Sequence, residues 1–433
     1  MFQLFPCFDF APKENKTEEK VAMAKTTKNK IDHELVDLFK TKLAISKEHP
    51  FLVDPDTIEF IKNSKVMFIN RGLPGSGKST LSNKIKNLYG IENAVICGGD
   101  DYFIDESGNY NFDRDKLHDA HQWAQDKARE ACKQGKSPVI VDNTNIKYWE
   151  FKPYLSIAKE FNYIVLLIEP RTPHKFDLEK LFLLNKHNVP KEIIKNRLKE
   201  YQIIFPIYFG WYLNETDSVA LTKTAKECLK EAMKLCENLK SDLINDRLNS
   251  DVKILFEFKN ETHLHCTSKF IGRSIEKNPL MKEYAMNPRV TESLGTAFTL
   301  EIVGFSISKR SIAADVYLNK EQMGPLWGND LNKLEILEVI QDLNINNNIE
   351  SKIFDDFEYG ARAHVTIGLK PNEKAYRAGI DLMKIKLINK LNYDFNVKNF
   401  ENDKYEFIYY NDSLCYCKLK NSIKFSTLFT GDY

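Results

Sequence analysis

No apolar run in this 433-residue sequence approaches the roughly 20 residues a bilayer-spanning helix needs. The opening segment MFQLFPCFDF is apolar but short. It contains Pro6 and Asp9 and lacks both a basic leader and a small-residue cleavage site, so it does not read as a signal peptide. The final residues, Thr430 to Tyr433, form no prenylation box. Charge of one sign is missing too: 62 Lys and Arg stand against 61 Asp and Glu. A global positive field for nucleic acid is thereby excluded, and any such binding falls to local patches. The eight cysteines (7, 97, 132, 228, 236, 266, 415, 417) include no CxxC and no zinc-ligand spacing. They read as reduced thiols, which with the missing leader predicts a cytoplasmic protein.

What is present is ample apolar material, 42% of residues with 12% aromatic, in a chain too long for one typical core. Residues 1–48 read as a solvated tail followed by a helix, spaced Ile31, Leu35, Leu38, Phe39 and Leu43. From 49 to 249, short apolar runs at 66–69, 94–97, 139–142 and 163–169 alternate with helical stretches, predicting a parallel sheet with helices on both faces. A long amphipathic helix is expected over 218–248. From 250 to 433 the pattern becomes strand-rich, with candidates at 254–258, 264–270, 297–308, 314–318, 363–369, 405–410 and 415–419 and a helix at 372–390. The fold class predicted is an α/β domain followed by a two-lobed α+β domain with antiparallel sheets.

Gly72-Leu73-Pro74-Gly75-Ser76-Gly77-Lys78-Ser79 matches GxxxxGK[ST] between a predicted strand and a predicted helix. The glycines let successive N–H groups curl around a phosphate, and the helix N-terminus adds its positive end. Lys78 reaches the outer phosphates in this reading, while Ser79, followed by Thr80, and Asp142 at the end of VIVD offer oxygens to Mg²⁺. Asp100, just beyond the second strand, stands where an acceptor's proton is taken. These parts, with Asn185-Lys186-His187-Asn188-Val189-Pro190 as a lid, resemble the polynucleotide-kinase branch of P-loop proteins. That branch carries lid arginines where this chain has Leu183 and Leu184. The domain is therefore expected to hold ATP or GTP with Mg²⁺, or RNA, with 5′-kinase activity as the alternative.

His265-Cys266-Thr267 and His364-Val365-Thr366 are HxT motifs 99 positions apart, each on a predicted half-buried strand. Alternate residues of a strand share a face, so each motif sets an imidazole beside a hydroxyl. Together they form a cleft in which one histidine deprotonates water and the other protonates a leaving oxygen. The threonines hold phosphoryl oxygens, and no metal is called for. His263 points to the same face as His265, but only His265 has a threonine two residues on.

Taken in order, RGLPGSGKSTL (71–81), YFGWYL (208–213), LHCTSKF (264–270), ARAHVTIGL (361–369) and LFTGDY (428–433) resemble the 2′,3′-cyclic-nucleotide 3′-phosphodiesterases of vertebrate myelin. The resemblance spans about residues 50 to 433. It implies a two-histidine phosphoesterase domain that converts 2′,3′-cyclic nucleotides, or RNA with a 3′-terminal cyclic phosphate, to 2′-phosphates. His265, Thr267, His364 and Thr366 match the catalytic quartet. Phe270 matches an aromatic on which a base stacks, although a core role is equally open. Arg362, two before His364, is a phosphate contact or a surface charge, and Tyr208 matches an aromatic near the site. Against these readings stands that of a non-enzymatic RNA- or cytoskeleton-binding scaffold.

Overall fold

The computed structural model describes residues 48–244, 257–258, 263–273, 275, 278–327, 337, 339–341, 343, 360–391, 397–410 and 414–433. The tail and the helix expected over Ile31 to Ile45 lie outside these residues.

The first four apolar runs become β1 (Val66–Asn70), β2 (Val95–Cys97), β3 (Val139–Asp142) and β4 (Ile164–Ile168). They pair in parallel in the order β2-β3-β1-β4. Because side chains alternate along β1, Val66 and Phe68 enter one core and Met67 and Ile69 the other. The first core is covered by α1 (Pro55–Lys62) and α2 (Lys78–Tyr89), the second by α3 (Leu117–Lys133) and α4 (Tyr148–Glu160). Local chemistry starts α1 where it does. The Asp54 carboxylate accepts the Thr57 N–H at 2.9 Å, and Pro55 takes the first helical position, where no N–H is needed. Two further helices, α5 (Leu178–Leu184) and α6 (Lys191–Lys199), follow the sheet.

A second, antiparallel sheet has nine strands among the described residues. They are β5 (Tyr208–Leu213), β6 (Glu257–Phe258), β7 (His265–Phe270), β8 (Thr296–Ile307), β9 (Ser311–Tyr317), β10 (His364–Leu369), β11 (Lys398–Glu401), β12 (Tyr405–Tyr410) and β13 (Leu414–Asp432). Strand β13 pairs with both β5 and β8, so β13, β5, β7, β10, β9 and β8 close into a barrel-like ring. Its core is lined by Trp211, Cys266, Val365, Phe305 and Phe429, with α7 (Glu215–Leu235) packed on it through Leu221, Ala225 and Leu229. The helix expected over 372–390 is α9 (Tyr376–Leu391). The stretch expected as one helix over 218–248 is instead two, α7 and α8 (Glu237–Ile244), separated by Cys236 in an extended conformation.

The expected domain boundary is corrected as well. YFGWYL falls within the range read as the first domain (49–249), yet it forms β5 inside the second sheet. Its Phe209, Trp211 and Leu213 alternate into the core of that sheet, and α7 follows them there. The first sheet ends with β4 at Ile168 and the second begins with β5 at Tyr208, so the division falls before 208, not at 249.

Candidate active site

Strands β7 and β10 are antiparallel neighbours with Cys266 opposite Val365. Both of those side chains are fully buried in the ring's core. The intervening residues therefore point to the other face. The same register sets His364 opposite Thr267 and Thr366 opposite His265. Directly opposed residues lie about 5 Å apart at Cβ, so the four side chains form one compact array. Burial pushes the Cys266 thiol up to about 12, which keeps it a neutral packing group between the two functional residues.

His364 is held by backbone. Its Nδ1 stands 2.7 Å from the Arg362 carbonyl and its Nε2 3.3 Å from that of Ala375. A carbonyl only accepts, so the shorter contact favours a proton on Nδ1, while the longer one to Ala375 is of a kind that Nε2 makes once it has taken up a proton. Thr366 Oγ1 donates to the same Ala375 carbonyl at 3.5 Å. Gly379 of α9 makes room for the ring, since a Cβ there would fall 3.0 Å from His364 Cε1.

His265 is held by aromatic rings. Its imidazole stacks on Tyr208 at 5.0 Å and 22° and on Tyr212 at 4.9 Å and 25°. Burial pushes the Tyr208 hydroxyl up to about 12, so the ring is a neutral neighbour. His263, by contrast, is buried, with Nδ1 3.0 Å from the Leu213 carbonyl and Nε2 2.7 Å from that of Asn162. It joins the two sheets and stands outside the array.

Strict alternation along β7 would send Phe270 into the core. A bulge between Phe209 and Gly210 shifts the register and sets Phe270 opposite Tyr208, on the face of His265, where it is 65% exposed. Gly210 permits the bulge, because a Cβ there would meet the Cys266 carbonyl oxygen at 2.7 Å. The remaining candidate is Arg362. It precedes β10 in a turn, its carbonyl serves His364, and its guanidinium lies 5.8 Å over Trp327 of the core.

In the first domain Gly72, Gly75 and Gly77 all adopt positive φ, curling the loop at the N-terminus of α2. Lys78 Nζ donates to the Leu73 carbonyl at 3.0 Å. Burial lowers the Lys78 ammonium's pKa, and the nearby carboxylates of Asp142 and Asp100 oppose that shift. Burial likewise raises the Asp142 carboxyl, against the pull of Lys78 and of Ser79 and Ser82. Asp142 Oδ1 and Ser76 Oγ are buried without a partner. An unpartnered carboxylate oxygen suits Mg²⁺, and an unpartnered hydroxyl can donate to a phosphate oxygen held in the inward-curled loop. Asp100 is bridged by Tyr110 at 3.3 Å and by His187 of the lid segment at 3.4 Å. Thr80 is exposed.

Leu183 projects into solvent, 77% exposed, while Leu181 of the same helix packs on Leu73 of the loop. A guanidinium near the loop comes from α6. Arg197 Nη1 donates to Thr144 Oγ1 at 3.0 Å, and the Thr144 carbonyl accepts the Gly72 N–H at 2.9 Å. Sequence reasoning missed Arg197 because no motif spacing ties it to the loop. It missed Tyr212 because YFGWYL was not read as a strand. Recognised as one, the segment would have put Tyr208 and Tyr212 on one face.

Residues 205–433 match the family model described as 2′,3′-cyclic nucleotide 3′-phosphodiesterase (CNP or CNPase). The chain belongs to this family. Residues 67–181, which carry the phosphate-binding loop, match a model described as an AAA domain. The CNPase relatives include the 2′,3′-cyclic-nucleotide 3′-phosphodiesterases of Pongo abelii and Rattus norvegicus, each 28% identical over 78% of this chain and 76% of theirs. The chain is also similar to NEDD4-binding protein 2 of Homo sapiens, 36% identical over 53% of this chain and 13% of that protein. With the AAA domain first and the CNPase domain second, the order matches the two sheets, the HxT array lying wholly in the CNPase part.

Proposed function

We propose that this chain hydrolyses nucleoside 2′,3′-cyclic phosphates, free or at an RNA 3′ end, to 2′-phosphates. The observation that carries this reading is the register of β7 on β10, which makes one array of two separate HxT motifs. His364, with Nδ1 directed at the Arg362 carbonyl, takes a proton from water at Nε2. The water oxygen bonds to phosphorus, the P–O3′ bond breaks, and His265 delivers a proton to the departing O3′. Thr267 and Thr366 donate to the non-bridging oxygens as charge builds. Phe270 offers an exposed face to the base, and Tyr208 supports His265. The chain's own side chains supply every proton-transfer role.

The test is product analysis with 2′,3′-cyclic AMP in the presence of EDTA. We expect the 2′-monophosphate, with activity lost by a factor of roughly 10²–10⁴ in His265→Ala and in His364→Ala. Lys78→Ala should leave turnover near the wild-type value. Release of the 3′-monophosphate would reverse the leaving group, and no turnover on free or RNA-terminal cyclic phosphates would favour the scaffold reading.

For the first domain we propose binding of ATP or GTP with Mg²⁺, supported by the orphaned Asp142 and Ser76 oxygens. Ser79 and Asp142 would hold the ion, which neutralises phosphate charge when bound. Arg197 near the loop adds a reason to test the bifunctional alternative, and transfer of labelled γ-phosphate to a 5′-hydroxyl oligonucleotide would establish it.

A further inference from the structure

We propose that Tyr212 is a positioning residue for the phosphodiesterase reaction, a flat wall that fixes the His265 imidazole and is itself seated on the core of the P-loop domain. The inference rests on the role given above to His265. Histidine χ2 is a broad torsion, so a strand alone does not fix the plane of the ring. Delivering a proton to one oxygen requires that plane to be set. Tyr212 is the cross-strand partner of His265 and stacks on it, while Tyr208 covers the imidazole too and lies within 11° of parallel to Tyr212.

The ring of Tyr212 also packs against the cluster that contains Phe51, Phe60, Phe68, Leu166 and Leu428. Four of those five residues belong to the first domain. The fifth, Leu428, is the partner of Tyr212 on β13. Nearby polar contacts keep the two sheets in register. Thr430 Oγ1 donates to the Val165 carbonyl at 2.8 Å, and His263 Nε2 stands 2.7 Å from the Asn162 carbonyl. The P-loop domain thereby reaches the reacting proton through one aromatic ring. The Tyr212 hydroxyl is buried, and the flat face of the ring should suffice for this task.

The test uses the full chain and compares Tyr212→Phe, Tyr212→Leu and Leu428→Ala with wild type. Steady-state kinetics on 2′,3′-cyclic AMP across pH 5 to 9 are read beside melting temperature. Tyr212→Phe should stay within about twofold of wild type in kcat. Tyr212→Leu fills similar space without a flat face. Its kcat should fall about tenfold or more with KM within about twofold, and the pH limb governed by His265 should move. Leu428→Ala loosens the seat under the Tyr212 ring but keeps its flat face, and should lower melting temperature with a smaller fall in kcat than Tyr212→Leu. Wild-type kcat in Tyr212→Leu would overturn the proposal. So would an equal loss in Leu428→Ala at matched stability, or an equal loss in Tyr212→Phe. A wild-type protein inactive on every cyclic phosphate would instead overturn the function on which the proposal rests.

Discussion

His49 stacks on Phe51 at 4.6 Å and places Nε2 3.0 Å from the Glu169 carbonyl, at the start of the first domain. Burial, aided by the Arg171 charge, lowers its pKa from 6.5 to about 3. Between those values the unfolded chain binds a proton that the folded chain does not. This contribution to stability is therefore complete above about pH 6.5 and is lost as pH falls toward 3. Lowering pH from 7 to 5 should cost about 2 kcal/mol through His49 alone. In urea titrations at the two pH values, His49→Gln should show a smaller difference than wild type; an unchanged difference would refute this assignment. At this scale the HxT histidines were legible because spacing two fixes a shared face. His263 obeys the same parity, and only its two carbonyl neighbours reveal that it joins sheets. Arg197 and Tyr212 act across long sequence separations, which local pattern does not encode.

Among the elements, α9 reaches the HxT array through Gly379, whose added Cβ would lie 3.0 and 3.1 Å from His364 Cε1 and Nδ1. Alanine is favoured over glycine in a helix by about 1 kcal/mol, so Gly379→Ala sets propensity against site geometry. We expect kcat on a cyclic phosphate to fall about tenfold while the melting temperature stays within a few degrees. Unchanged kcat would show that His364 tolerates the methyl. The parallel strands were legible to within a residue or two, being short apolar runs between polar helices. The bulge at Gly210 was not: its cause is a cross-strand approach to Cys266, and its effect appears four positions along, at Phe270. Cys236, which interrupts the expected long helix, carries no glycine or proline signal; its buried Sγ takes the Leu239 N–H at 3.5 Å.

For the whole molecule the decisive feature is a shared interior. Leu428 of the second sheet is fully buried in the core of the first, and the Ala297 N–H donates to Thr57 Oγ1 at 2.8 Å. Domains joined in this way should melt together, giving one calorimetric transition over the residues described. Leu428→Ala should destabilise that transition by about 2–5 kcal/mol, read as a lower midpoint. Two separated transitions in wild type would contradict the shared core. Sequence reading found both domains and their order. It placed the division too late because the chain enters the second sheet at β5, then spends two helices before the next long strand.

The last strand closes the ring, with consequences for how the protein is made. On a ribosome the four strands of the parallel sheet are complete once residue 168 has emerged. The CNPase half waits for residues 414–432, on the order of ten seconds or more later at ordinary translation speeds. Through that interval β5 and β8 lack the strand that will separate β5 from solvent and join it to β8. Their open edges are then available to other nascent chains on the same message. Catalytic competence thus waits on residues 414–432, the one strand that both completes the histidine-bearing ring and seats it on the parallel sheet made before it.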